Sequence, residues 1–376
     1  MKYYLIAGEA SGDIYGSQLI EEIQILDPNS EIRFWGGDLM KSKSDNLVKH
    51  YKETSIMGFF EVLKNIFKIL NNINFCKKDI LRFKPDRIIY IDYPGFNLRI
   101  CKWAKENGFI NHYFISPQIW AWKENRINAI KRDIDYMHVI LPFEKNYYKI
   151  KHEFEVHYSG HPLVNYINKF KSDDNFFYKN NLDINQPIIA LLPGSRLQEI
   201  KKVLPVFISI TNMFKSYQFV IGGVESIDKE KYDKLTKNKN VKVVFNQTYN
   251  LLANAKAAIV TSGTASLEAA IFKIPQVVCY KTSFITYLIG KMLVNIKYIS
   301  LVNLILNNKI VDELSKLNLL TIMSLFNQSS YNLTVVEWFW MEPYMKPQSH
   351  VWNSQSNSNP TNSFIKKNTP KDNRSF

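Results

Sequence analysis

The sequence is poor in cysteine: Cys76, Cys101 and Cys279 are the only three in 376 residues, and no two form a C-x-x-C pair. That spacing excludes a disulfide framework and the usual zinc sites, and it fits a reducing cytoplasm. Arginine is scarce too, with eight among 48 basic residues. Nucleic-acid readers favour guanidinium forks, so the scarcity argues against a nucleic-acid partner. Long apolar runs are missing. The greasiest stretch, 284–306, is broken by Lys291, Asn295, Lys297 and Asn303, whereas a spanning helix needs about 20 mostly apolar residues. The apolar start at 3–7 is too short for a signal peptide and reads as a first β-strand. The expectation is a soluble protein, or one bound peripherally to a membrane.

What is present points to two domains. A chain of 376 residues exceeds one ordinary domain, and 46% hydrophobic residues suffice for two cores. A formal net charge of +14 suits an anionic partner, either a phosphorylated substrate or an acidic leaflet. Short apolar runs alternate with helical patterns, the signature of βαβ units and parallel sheets. Segments 3–7, 87–91, 112–115 and 138–140 are predicted strands of a first sheet. Segments 188–192, 218–221, 241–245, 257–260 and 276–280 are predicted strands of a second. The polar stretch 169–187 separates them, giving an α/β protein with domains at 1–168 and 187–314. Two doubly wound domains in series imply an interdomain cleft, with ligands at strand carboxyl ends. From 315 the alternation fades, and 353–376 reads as disordered by composition.

Five motifs fall at predicted strand ends. Gly8-Glu9-Ala10-Ser11-Gly12-Asp13 precedes a helix expected near Ile14; its small residues admit a ligand to backbone amides, although a tight turn capped by Ser11 or Asp13 explains it equally well. Asp92, in Ile91-Asp92-Tyr93-Pro94-Gly95-Phe96, is placed to serve as a general base or merely to open a turn. Trp120 and Trp122, in Ser116-Pro117-Gln118-Ile119-Trp120-Ala121-Trp122, suit either a sugar wall or core packing. Gly194, Ser195 and Arg196 offer amides and a fork to a diphosphate, or form a plain surface turn with a solvated arginine. Ser262, Gly263 and Thr264 offer hydroxyls and amides to phosphate, and Glu268 can accept ribose hydroxyls. Finally, 57–74 carries a helical apolar stripe that includes Phe59, Phe60, Leu63 and Phe67, flanked by Lys64, Lys68, Lys77 and Lys78. Such a stripe is usually a core face; here it also suits a membrane surface or acyl chains.

Taken in order, these motifs closely resemble the lipid-A-disaccharide synthase family, together with Met57-Gly58, Glu61-Val62-Leu63, the LPFEK text at 141–145, Gly160-His161-Pro162 and Ser300-Leu301-Val302-Asn303-Leu304. The resemblance covers about 3–314. It implies a GT-B fold and a hexosyltransferase that works without metal or cofactor. It implies UDP-2,3-diacylglucosamine as donor and 2,3-diacylglucosamine 1-phosphate as acceptor, giving UDP and the β-1,6 disaccharide 1-phosphate with inversion. By motif, Asp92 and Arg196 carry over as catalytic, Gly194, Ser195, Arg196, Ser262, Gly263, Thr264, Glu268 and Asn303 as UDP-binding, and Glu9, Ser11, Gly12 and Asp13 as the acceptor loop. Phe59, Phe60, Leu63 and Phe67 carry over as acyl and membrane contacts on the inner leaflet.

After Glu313-Leu314 the text departs from the family's closing helices, as a frameshift would produce. An atypical carboxyl terminus counts against a family-style homodimer. It keeps an inactive glycolipid- or UDP-binding remnant open as an alternative, beside a related UDP-GlcNAc enzyme.

Overall fold

The structure, a computed structural model, describes residues 1–54, 66–225, 227–279, 298 and 300–314. Phe59, Phe60 and Leu63 lie outside the described residues, as does the unusual tail from 315. Two compact units divide the described residues, 1–163 and 164–314.

The first unit is built on seven parallel strands: β1 (Lys2–Ala7), β2 (Glu31–Gly36), β3 (Leu47–His50), β4 (Arg87–Ile91), β5 (Asn111–Phe114), β6 (Tyr136–Val139) and β7 (His157–Tyr158). Their order is β3-β2-β1-β4-β5-β6-β7. The chain winds outward from β1 in one direction and from β4 in the other, so the winding reverses between these two neighbours. In such sheets ligands bind outside the strand carboxyl ends at that reversal. β1 and β4 run in register from Tyr3↔Arg87 to Ala7↔Ile91, which brings Gly8 and Asp92 to the same end of adjacent strands.

The second unit repeats the plan with β8 (Ile188–Leu192), β9 (Gln218–Gly223), β10 (Lys242–Phe245), β11 (Ala255–Thr261), β12 (Gln276–Cys279) and β13 (Asp312–Leu314). Here the order is β10-β9-β8-β11-β12-β13, all parallel. The reversal lies between β8 and β11, whose pairing ends at Val260↔Leu192. The Gly194–Arg196 turn and the Ser262–Thr264 turn therefore leave neighbouring strand ends.

Four strands lack the apolar pattern that marks the others. β2 carries Arg33 in its middle, β3 reads Leu-Val-Lys-His, β7 has two residues and β13 is mostly acidic. Each joins its sheet by backbone pairing. Arg33 is tolerated because its guanidinium meets Asp79, on the helix Ile66–Phe83, through two bonds of 2.8 Å. Tyr4 donates to the same carboxylate at 2.8 Å and accepts from Trp35 Nε1 at 2.9 Å. This buried network fixes the helix on the sheet. Asp79→Ala is expected to lower stability of the first unit by about 2–3 kcal/mol, since the Tyr4 hydroxyl and Arg33 lose their acceptor together. A discount is already included for Arg33, a third of which faces solvent. A urea midpoint unchanged from wild type would show that water replaces the carboxylate at no cost.

Candidate functional sites at the strand carboxyl ends

Asp92 follows β4 directly, and both it and Tyr93 hold positive φ, at 46° and 50°. Side chains favour this left-handed region little, and such strain persists only where neighbours enforce it. The enforcing contacts are clear. The Asp92 amide donates to Phe114 O at 3.1 Å, and its carbonyl accepts from Asn97 Nδ2 at 2.7 Å and Tyr113 Oη at 2.6 Å. Asp92 is half-buried at this kink, and Pro94 then opens the helix Pro94–Glu106. Burial, with Glu9 nearby, pushes the carboxyl up to about 7, against the Tyr93 amide and Arg126, which favour its charge. A carboxyl so tuned can take a proton near neutrality.

The segment after β1 differs from the expectation of a loop ending near Ile14. The helix Ala10–Leu26 begins at once, with Glu9 as its N-cap and no side-chain cap. Ser11, Gly12 and Asp13 therefore sit in its opening turn, closed by the Asp13 amide on Glu9 O at 3.0 Å. Asp13 is buried, and its carboxylate accepts from the amides of Gly37, Leu39 and Met40 at 2.8, 3.1 and 3.0 Å. It fastens the Gly37 turn rather than presenting an acid. Glu9 and Ser11 stay half-buried, while Gly12 is buried. Gly8 is glycine because the Tyr93 ring lies on it: a Cβ there would stand 2.3 Å from that ring. The first two motifs thus pack on each other.

The loop after β5 is held by a carboxylate that the sequence reading did not single out. Glu144, in the LPFEK text, is buried and accepts from Ser116 Oγ at 2.8 Å, Trp120 Nε1 at 3.1 Å, and the Ile140 and Leu141 amides at 3.2 and 2.9 Å. Burial raises its pKa, and those four donors oppose the rise. Trp120 is consequently a structural wedge, edge-on to Phe143. Trp122 is 43% exposed and carries Lys123 and Arg126 on its ring, at 4.6 and 5.1 Å from the centroid. The acid in LPFEK was the only available signal, and nothing local tells that it reaches back to Ser116.

In the second unit, Arg196 is the N-cap of the helix Leu197–Ser209 and is mostly exposed, loosely paired with Glu199 at 3.4 Å. Ser195 is exposed and Gly194 half-buried beside it. After β11, Gly263 caps the helix Thr264–Ile271 at φ 141°, with nothing within 4 Å of where a side chain would stand. Open space above a glycine at a helix start is suited to close backbone approach by an anion. Thr264 is exposed there and Ser262 half-buried, while Ser266 turns inward to Gly263 O at 2.8 Å. Glu268 accepts from Tyr249 Oη at 2.9 Å, and its other oxygen has no partner among the described residues. Burial raises its pKa.

Asn303 differs from the expectation of a ligand contact. It is fully buried, with Nδ2 donating to Val311 O and Glu313 Oε1 at 2.8 Å each, and Oδ1 accepting from Ile310 and Val311 amides at 2.7 and 2.8 Å. All four of its hydrogen-bonding sites are used. It clamps the loop leading into β13. Among the described residues no group of three His, Cys, Asp or Glu is arranged to hold a metal ion.

Residues 3–334 match the model of a family described as lipid-A-disaccharide synthetase. That match passes Leu314, where the sequence alone placed the departure. A lipid-A-disaccharide synthase of Coxiella burnetii (strain CbuK_Q154) is 35% identical over 314 residues, 82% of this chain and 83% of that protein. One from Syntrophus aciditrophicus (strain SB) is 36% identical over 319 residues, 82% of each. Among solved structures, a UDP-GlcNAc 2-epimerase from Neisseria meningitidis bound to UDP-GlcNAc aligns with a TM-score of 0.67 at 13% identity, covering 98% of this chain and 99% of that one. The glycotransferase of kitacinnamycin aligns with a TM-score of 0.62 at 9% identity, covering 92% and 94%. At such identities the likeness concerns the fold alone, and the fold is the GT-B type with two parallel-sheet α/β units.

Proposed function

Because this chain belongs to the lipid-A-disaccharide synthase family, we propose that it transfers 2,3-diacylglucosamine from its UDP derivative to the 6-hydroxyl of 2,3-diacylglucosamine 1-phosphate. The observation that carries this reading is Asp92: a strained, half-buried carboxyl at the sheet's reversal, held near neutrality and in no ion pair among the described residues. Asp92 takes the proton of the 6-hydroxyl as that oxygen attacks the donor's anomeric carbon. The carbon's bond to the diphosphate oxygen breaks on the opposite face, which inverts the centre and releases UDP. Ser195, Arg196 and the Ser262–Gly263–Thr264 amides receive the leaving charge, as fixed donors do when charge develops in a transition state. Glu268 accepts ribose hydroxyls, oriented by Tyr249, and Asn303 acts through the loop it clamps. Glu9 and Ser11 border the acceptor. Purified protein given both lipid substrates is expected to form the disaccharide 1-phosphate, detected by mass. Product formed from non-acylated UDP-GlcNAc instead would replace this reading with a sugar-nucleotide enzyme of the same fold.

The lipid substrates call for contact with a membrane. No helix among the described residues is long and apolar enough to cross one. The helix Ile66–Phe83 nevertheless begins with exposed apolar groups: Phe67 is 79% exposed, and Ile66 and Leu70 about half so. Among the described residues of that stripe, Ile73 is buried in the core and Ile69 packs against it. A first turn of this kind, with Lys68 beside it, lays against an anionic leaflet. Phe67→Ser with Leu70→Ser is expected to cut sedimentation with phosphatidylglycerol vesicles severalfold while leaving the urea midpoint unchanged, and wild-type binding should fall with salt. Undiminished vesicle binding by the double variant would move the contact elsewhere.

A further inference from the structure

Within the first unit, one cation differs from the other arginines in its surroundings. Arg33 is forked onto Asp79, and Arg132 onto Asp133. Arg126 is half-buried at the end of the short turn Glu124–Arg126, yet among the described residues its guanidinium forms no ion pair and no hydrogen bond. It is braced instead on the Trp122 ring, which Lys123 also faces. A half-buried guanidinium with no acceptor among the described residues is free to take an anionic ligand. Burial disfavours its charge, and nearby Tyr113 and Asp92 partly oppose that. Arg126 and Asp92 are thus within electrostatic reach of one another, on the loops that follow β5 and β4.

The geometry suggests a ligand class. A guanidinium fork beside an indole can present two N–H donors, the arrangement that matches a phosphomonoester. On the reading given above, the attacking hydroxyl of the acceptor lies at Asp92. In a hexose 1-phosphate the ring carbons that bear the hydroxymethyl arm and the phosphate, C5 and C1, flank the ring oxygen, so the hydroxyl and the phosphate are held on one sugar a few bonds apart. Whatever holds the phosphate must therefore lie near the base, and Arg126 and Asp92 are near enough to act on each other's charge. Arg196, on the turn after β8, is assigned above to the donor's diphosphate. Resting on that reading of the acceptor, we propose that Arg126, braced by Trp122 and assisted by Lys123, binds the acceptor's phosphate and sets the preference for a phosphorylated sugar.

The test compares two acceptors with the full chain, at saturating donor: 2,3-diacylglucosamine 1-phosphate and the same sugar without its phosphate. Wild type is expected to favour the phosphorylated acceptor by at least ~10-fold in kcat/KM, the worth of one charge-assisted fork. Arg126→Gln should lose ~10–100-fold on the phosphorylated acceptor, mainly through KM, and little on the other. Its preference should then collapse, with UDP affinity by calorimetry intact. Arg126→Lys should retain part of the preference, because an ammonium keeps the charge but not the fork. If the Gln variant does not fold, the Lys variant carries the test, and an unreduced preference there overturns the proposal. Arg126→Gln retaining the wild-type preference, or losing equally on both acceptors, also overturns it while leaving the transferase reading intact. No transfer by wild type to either acceptor removes the acceptor reading and this inference with it.

Discussion

Asp92→Asn is expected to lower turnover by ~10²–10⁴ while leaving UDP affinity unchanged, as loss of a positioned general base does. The wild-type pH profile supplies a second readout. A base works deprotonated, so with a carboxyl raised to about 7 the wild-type rate should fall roughly tenfold per pH unit below that value. The Asn variant should lack this acid limb. Stability moves the other way. A carboxyl whose folded pKa lies above its unfolded value holds its proton more tightly when folded, so its ionisation opposes folding as pH rises above the unfolded value. The Asn variant should therefore be no less stable than wild type at neutral pH, and slow turnover cannot then be assigned to unfolding. Near-normal turnover in this variant would remove Asp92 as the base and leave Glu9, the half-buried carboxyl beside it, as the residue to examine.

Arg196→Ala is expected to weaken UDP binding by about 1.5–3 kcal/mol, or ~10–150-fold in Kd. In the structure the guanidinium is mostly exposed and only loosely engaged with Glu199 at 3.4 Å. An exposed ion pair of that kind contributes little to folding, so the variant should keep its thermal midpoint. The fork can leave Glu199 for a diphosphate at small cost, and with a bound anion it gains both charge and geometry. Calorimetry that finds UDP affinity unchanged would remove Arg196 from the site and leave the Gly263 turn as the anion cradle.

The two sheets were legible in sequence because buried parallel strands are near-continuous apolar runs. β1, β4, β8 and β9 could hardly be anything else. β2, β3, β7 and β13 were not legible. β3, β7 and β13 are edge strands, where backbone pairing requires no apolar run; β2 lies one strand in, and the partner that accommodates its Arg33 is Asp79, 46 residues downstream. The expected helix start at Ile14 failed for a related reason. Asp13 reads locally as a cap or an acid, and its actual occupants, the amides of Gly37, Leu39 and Met40, come from another turn.

By itself the sequence determined that the chain alternates strand and helix twice over, and that Asp92, Arg196 and the Gly263 turn each follow a strand. These features depend on neighbours a few residues away, where periodicity and turn chemistry act. Only the tertiary structure decided which polar groups are already occupied. It tied Asn303 to Val311 and Glu313, gave Glu144 four donors, raised Asp92 by burial beside Glu9, and set Arg126 on Trp122 with no ion pair among the described residues. Charge and hydrogen-bond capacity are satisfied through space by whichever groups the fold brings near, and a residue's own stretch of sequence carries no record of them.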